Sequence, residues 1–200
     1  MSESPDTPAI SADTPLKKRP FAPFVAGAVG VLLLAFLMML AFADTGSSDS
    51  ANSPLLGKPA PEVQSTLIDG GNFDLARRKG SWVVLNFFNS TCVPCRQEHG
   101  LLVDFAAEQK MSEDPVELYT VVNDDNDAAV KAFFASYGGE WSKVRDDDGA
   151  ISVAFGVAKV PESWVIDPDG FVRMRVIGAL SEGFLTARID ELKRQYSGQS

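Results

Sequence analysis

The stretch SWVVLNFF, residues 81–88, constrains the fold more than any other part of the chain. It is a continuous apolar run of β-branched and aromatic residues, the pattern of a central strand buried on both faces. Such a strand needs cover above and below its sheet, which points to an α/β architecture. It runs on into NSTCVPCRQEHG, which holds both cysteines and the single histidine of the chain. VPCRQEHGLLVDFAAEQK then shows helical periodicity, with Leu101, Leu102, Phe105 and Ala106 on one side and Gly100 as the expected site of a bend. The cysteines therefore fall at a strand-to-helix junction.

The remaining elements fit the same class. VQSTLIDGGNFDL reads as a hairpin around Asp69-Gly70-Gly71-Asn72, and VELYTVVN as another buried strand. DAAVKAFFASYG reads as a helix, with Asp127 near its start and Gly138 near its end. GAISVAFGV suggests a short helix. ESWVIDPDGFVRMRVIG gives two strands around the turn Asp167-Pro168-Asp169-Gly170, and SEGFLTARIDELKRQY closes the chain as an amphipathic helix. No internal repeat is present. The expectation for residues 56–200 is an α/β domain with a central sheet flanked by helices and an N-terminal hairpin.

The N-terminal part has a different character. Residues 1–20 are rich in Ser, Pro, Asp and Thr and read as a disordered tail ending in Lys17, Lys18 and Arg19. Residues 21–43 contain no charge. As a helix that run spans about 35 Å, enough for a hydrocarbon core of about 30 Å. The basic triplet before it places the tail in the cytoplasm and exports everything after Ala43. A signal peptide cleaved after the small-residue triplet Ala41-Phe42-Ala43 is the competing reading, and it exports the same domain. Residues 44–55 read as a flexible linker. The formal net charge of -9 argues against nucleic acid as a partner, since phosphate binding needs clustered Lys and Arg.

Three uses of the cysteine pair compete. A structural zinc site needs four ligands, and Cys92, Cys95 and His99 make only three. Cu(I) suits soft thiolates better. A purely structural disulfide across two intervening residues closes a very small loop and constrains little. Redox exchange fits the placement. A helix start offers unpaired N–H groups and a positive dipole end, which favour the Cys92 thiolate as the attacking sulfur. Cys95 lies one turn on, where it can resolve a mixed disulfide. Pro94 is tolerated in a first helical turn.

At this point the chain resembles the membrane-anchored thioredoxin-like thiol-disulfide oxidoreductases of the TlpA/ResA/CcmG (DsbE) group. The resemblance rests on GKPAPE at 57–62, VVLNFFNSTCVPCRQEH at 83–99, FGVAKVPESWVIDPDGFVRMRVIG at 155–178 and the final helix. It implies a thioredoxin-like fold with a mixed central sheet. It implies Cys92 as nucleophile, Cys95 as resolving thiol, and Pro161 as a cis-proline facing them. The backbone of Val160 would then pair with an extended client peptide. Glu98 lies three residues after Cys95, on nearly the same helical face. By spacing alone it is as readily a solvated glutamate; the resemblance makes it a carboxylate near the thiols that moves protons. His99 points away round the helix and reads as a surface residue or one behind the site.

Asn123, Asp124 and Asp125 end a strand on the edge where α/β sites collect, and read as a capped turn. Trp141 and Trp164 read as packing residues. Two positions depart from the family pattern: Thr91 stands where many relatives have Trp, and Gly100 where many have Pro. The resemblance implies no metal and no bound cofactor. It implies a reductant of client disulfides, with apocytochrome c as the expected client and a membrane thiol-disulfide protein as electron donor. A Cu(I) metallochaperone is an alternative, although the copper-delivery relatives use a wider cysteine spacing and a distant histidine. A peroxiredoxin-like peroxidase is another, although it needs an activating Thr and Arg whose usual spacing NSTCVPCR lacks.

Overall fold

The computed structural model of the chain describes residues 22–41 and 50–198, with side chains of the first helix described from 27 to 38. The expected disordered tail, 1–20, lies outside the described residues, as does 44–49 of the expected linker. The chain divides into two units, Met1–Thr45 and Gly46–Ser200. In the first, α1 (Ala22–Ala41) is a single helix of 20 residues without a charged side chain. Its described side chains are all exposed. Among the described residues no helix is long and apolar enough to cross a membrane. The flanks of the expected span, 21–26 and 39–43, lie outside the described side chains.

The second unit is an α/β layer structure, as expected. A hairpin of β1 (Gln64–Thr66) and β2 (Asn72–Asp74) precedes β3 (Trp82–Phe88) and α2 (Val93–Lys110). Then follow β4 (Val116–Asn123), α3 (Asp127–Tyr137), β5 (Ser142–Asp146) and α4 (Ala150–Phe155). The chain closes with β6 (Glu162–Ile166), β7 (Val172–Ile177) and α5 (Phe184–Ser197). The five-stranded sheet has the order β5-β4-β3-β6-β7. The β3–β4 and β4–β5 pairs are parallel; β6 and β7 run antiparallel. Every residue of β3 is buried, which is why its sequence shows no alternation.

Period-2 geometry sends neighbouring β3 side chains to opposite faces. Leu85 and Phe87 join Val121, Val144, Phe155 and Trp164 on the hairpin and α4 side. Val84 joins Leu102, Phe105, Val165, Leu185 and Ile189 on the α2 and α5 side. A third cluster, with Phe88, Cys95, Phe133 and Phe134, fills the space between α2 and α3. The cysteine pair thus sits on a helix whose first turns are seated in the core.

Two expectations are corrected, and one strand had no expectation. Gly100 does not interrupt the helix: α2 continues through it to Lys110. An added Cβ there would meet no neighbour within 4 Å, so this glycine costs helix propensity without breaking the hydrogen-bond ladder. The strand β5 was not expected, because SKVRD carries too much charge to read as a strand; Lys143 and Arg145 nevertheless find acidic partners in Asp69 and Asp127. Residues 50–55 are docked to the domain rather than free. Ser50 bridges to Val176, and the Ala51 N–H donates to the Arg175 carbonyl at 2.9 Å.

Candidate active site

Strands β3 and β4 end at the same edge of the sheet, and the loop from β3 into α2 carries Cys92 there. Cys92 is the N-cap of α2, with its Sγ 3.2 Å from the Cys95 N–H that donates to it; Pro94 lies in the first turn. The two sulfurs are joined as a disulfide, with Cα atoms 5.3 Å apart. They differ in access: Cys92 is half-buried and Cys95 fully buried. The Val160–Pro161 peptide bond is cis. The Val160 carbonyl oxygen lies 3.7 Å from Cys92 Sγ. The β3–β6 ladder begins just beyond Pro161, at Phe87 opposite Glu162. The structure therefore brings together Cys92, Cys95, Val160 and Pro161.

Glu98 lies one turn past Cys95 and is 1% exposed, so it is not a solvated helix residue. Its carboxylate accepts from Asn86 Nδ2 at 2.9 Å and from the Leu180 N–H at 2.8 Å. Burial pushes its pKa up to about 7, against the opposing pull of those two donors. A carboxyl that titrates near neutrality can both accept and return a proton under ordinary conditions.

Of the two readings of His99, a surface residue or one behind the site, burial excludes the first, since it is 3% exposed. The reason is the third cluster: its ring centroid lies 4.7 Å from that of Phe133 and 5.0 Å from that of Phe134. Burial lowers its pKa, which the Gly138 carbonyl opposes. Its Nε2 lies 3.0 Å from that carbonyl oxygen, tying α2 to the end of α3.

Asn123, Asp124 and Asp125 do more than end a strand. Asp125 accepts the Ser90 N–H at 2.6 Å. Asn89 Nδ2 donates to the carbonyls of Asn123 and Asp124 at 3.0 and 2.7 Å. Asn89 Oδ1 accepts from both the N–H and the hydroxyl of Thr91. The turn at Asp124, with φ 48°, thereby fixes the loop that presents Cys92. The cap of α3 is Asn126 rather than Asp127, which pairs with Arg145 instead. Arg96 closes the outer side, with Nη1 donating to the Ser90 carbonyl and the guanidinium 5.1 Å from the Phe133 and Tyr137 ring centroids. Trp164 is a packing residue, fully buried with its indole N–H on Glu162. Trp141 is half-buried and donates to the Thr120 hydroxyl.

Sequence reasoning missed Asn86, Asn89 and Ser163. The signal for Asn86 was present: a lone amide in an otherwise apolar strand must find buried partners.

Among the described residues no group of three or more His, Cys, Asp or Glu side chains is placed to hold a metal ion. What the geometry offers is a sulfur pair with one accessible member, an extended backbone segment beside it and a neutral-range acid behind it. Known proteins of this kind are similar in sequence. The AhpC/TSA family model matches residues 56–175. The thiol:disulfide interchange protein DsbE of Pseudomonas fluorescens biotype C is 30% identical over 171 residues, covering 83% of this chain and 91% of that protein. The thiol-disulfide oxidoreductase ResA of Bacillus anthracis is 34% identical over 134 residues, covering 65% and 76%. Among solved structures, the MTB dsbF structure in mixed oxidized and reduced forms superposes with a TM-score of 0.61 at 27% identity, covering 66% of this chain and 98% of that one. The chain belongs to the AhpC/TSA family and is a thioredoxin-like thiol-disulfide oxidoreductase of the ResA and DsbE type.

Proposed function

We propose that this oxidoreductase is a membrane-tethered reductant of disulfides outside the bacterial cytoplasm, with the haem-attachment cysteines of apocytochrome c as its clients. The observation that carries the reading is the pairing of an accessible Cys92 with a fully buried Cys95 one turn above a buried Glu98. In the dithiol form the Cys92 thiolate attacks one sulfur of a client disulfide. A bond forms between Cys92 and that sulfur, and the other client sulfur leaves as a thiolate and takes up a proton. Glu98 accepts the Cys95 proton, and the Cys95 thiolate attacks Cys92 Sγ. The mixed disulfide breaks, the second client sulfur is released and protonated, and the Cys92–Cys95 disulfide remains. Two electrons have passed to the client. A thiol-disulfide donor in the membrane returns two electrons and two protons to the pair.

Val160 and Pro161 serve the client chain. The Val160 backbone stands beside Cys92 just before the ladder starts, so an extended peptide pairing there puts its own cysteine over the attacking sulfur. The tether is proposed from the charge-free run 21–43 behind Lys17, Lys18 and Arg19, which is a feature of the sequence. It raises the effective concentration near membrane partners. Neither arm of a peroxidase site is supported. The Thr91 hydroxyl is given to Asn89, and Arg96 to the Ser90 carbonyl and Tyr137.

Replacing the two sulfurs one at a time tests the reading. Cys92→Ser abolishes disulfide reduction. Cys95→Ser still attacks but cannot resolve, so it accumulates mixed disulfides with apocytochrome c on non-reducing gels. If Cys95→Ser captures apocytochrome c no better than Cys92→Ser does, the proposed client role is wrong.

A further inference from the structure

The two polar side chains beside Glu98 in the core, Asn86 and Ser163, take no part in the sulfur exchange. Both are buried, at 0% and 1% exposure. Asn86 Nδ2 donates to Glu98 Oε1 at 2.9 Å and to Ser163 Oγ at 3.1 Å. Its other end, Oδ1, is buried and has no hydrogen-bond partner among the described residues. An amide with both hydrogens committed and its oxygen unused is incompletely satisfied, and such a group calls for an explanation.

The explanation lies in which state of Glu98 the arrangement fits. Both carboxyl oxygens accept, one from Asn86 and one from the Leu180 N–H. That set suits an ionised carboxylate. When Glu98 takes a proton on the oxygen facing Asn86, its O–H is aimed at an N–H and finds no acceptor there, and the hydroxyl oxygen is a weaker acceptor for that N–H than the carboxylate was. The acceptor needed is the idle Oδ1 of the same amide. A half-turn of the Asn86 amide exchanges its ends, and Oδ1 then receives the Glu98 proton. Ser163 can follow, because a hydroxyl donates as readily as it accepts. One end of the amide lacks a protein partner in either orientation; what changes is the end that faces the acid.

We infer that Asn86, oriented by Ser163, is a positioning residue that turns end for end with the protonation of Glu98 and sets the acid's proton affinity. The consequence for catalysis rests on the proton-transfer role proposed for Glu98. Among the described residues Asn86 is the one side-chain donor to that acid. The opposing influences on Glu98 are the Leu180 N–H and Asn86, with no charged side chain among them. On β6, Glu162 is engaged by Arg175 and Trp164. On β7, Arg173 pairs with Asp167. His99 is turned into the α3 rings, and α5 contributes Leu185 and Ile189 to this core. Cys92 and Cys95 are the remaining titratable groups on the same helix near the acid. Ser163 is two residues past Pro161, so the contacts run from the segment proposed to pair with clients to the acid.

The test uses the full chain in detergent, in its disulfide form, so that no thiol titrates. Nuclear magnetic resonance follows the Glu98 side-chain carboxyl carbon and the Asn86 side-chain amide signals through the neutral pH range. The expected result is one shared midpoint for both groups. In Glu98→Gln the Asn86 signals stay constant with pH, because the introduced amide nitrogen donates to Oδ1 and holds the turned form. Asn86→Leu, similar in size but able to bond neither form of the acid, raises the Glu98 midpoint by about one pH unit, because the bond lost from the charged form is stronger than the one lost from the neutral form. Asn86 signals that stay flat through the Glu98 titration would overturn the inference. So would an unmoved Glu98 midpoint in folded Asn86→Leu. The titration of the oxidised protein is independent of turnover. If Glu98→Gln exchanges disulfides at the wild-type rate, the acid's catalytic role fails while the amide's coupling is still judged by the spectra.

Discussion

Glu98, the acid of the proposed exchange, is buried at a cost that depends on pH. In the folded protein it keeps its proton up to about pH 7, whereas the ordinary glutamate value is 4.5. Between those values the folded state binds more protons than the unfolded one, so stability falls as pH rises through this window. Above pH 7 the loss is complete, on the order of 3 kcal/mol. Glu98→Gln removes the charge and keeps the shape. We expect this variant to be more stable than the parent by about 1–3 kcal/mol at pH 8, with the advantage fading below about pH 5. Urea denaturation at the two pH values checks this; a difference that does not change with pH would mean that Glu98 does not carry a displaced titration. The same residue shows how far spacing reasons. Cys95 and Glu98, three apart on a helix, were legible as neighbours on one face. The burial that makes Glu98 an acid of neutral range was not, because it depends on β3 and the loop at Leu180 meeting it from distant parts of the chain. His99 was left between surface and interior for a related reason: the helix pattern placed it off the sulfur face, and only the packing of α3 shows that this second face is also buried.

The presentation of Cys92 is a property of elements rather than of one side chain. The helix α2 supplies the N-cap position. Its placement is fixed by the loop at 89–91 leaning on the turn after β4. Asn89 joins the two segments through bonds at both ends of its amide. Asn89→Ala removes those bonds at once. At about 1 kcal/mol net for a typical hydrogen bond, partly offset by water at this exposed edge, the expected loss of stability is about 2 kcal/mol. Disulfide exchange should slow as well, because the N-terminal turn of α2 is no longer held against β4. Denaturation together with the exchange rate on a model disulfide checks both; loss of stability with unchanged exchange would separate the loop from the function. Elements with a strong pattern were readable in advance: β3 from its unbroken apolar run, β6 and β7 from the Asp-Pro-Asp-Gly turn, α5 from its amphipathic stripe. The strand β5 was not, since an edge strand gains its place from pairing with β4 and from salt bridges rather than from its own hydrophobicity.

For the whole molecule, length and charge pattern separated an apolar N-terminal run from an α/β domain. The domain's layers followed from one strand that had to be covered on both faces. The sequence could not show that 50–55 docks along β7, because polar and small residues read alike whether their backbone is paired or free. The proposed exchange requires two things of the intact chain together: Cys92 must be the reactive sulfur, and it must face away from the cytoplasm. Spheroplasts producing the full chain, briefly reduced and then treated with a membrane-impermeant maleimide, measure both at once. The expected result is one label per chain, on Cys92, before lysis, with Cys95 protected until the protein is denatured. Labelling that appears only after lysis, or that falls equally on Cys92 and Cys95, would contradict an exported exchange centre that works through one presented sulfur.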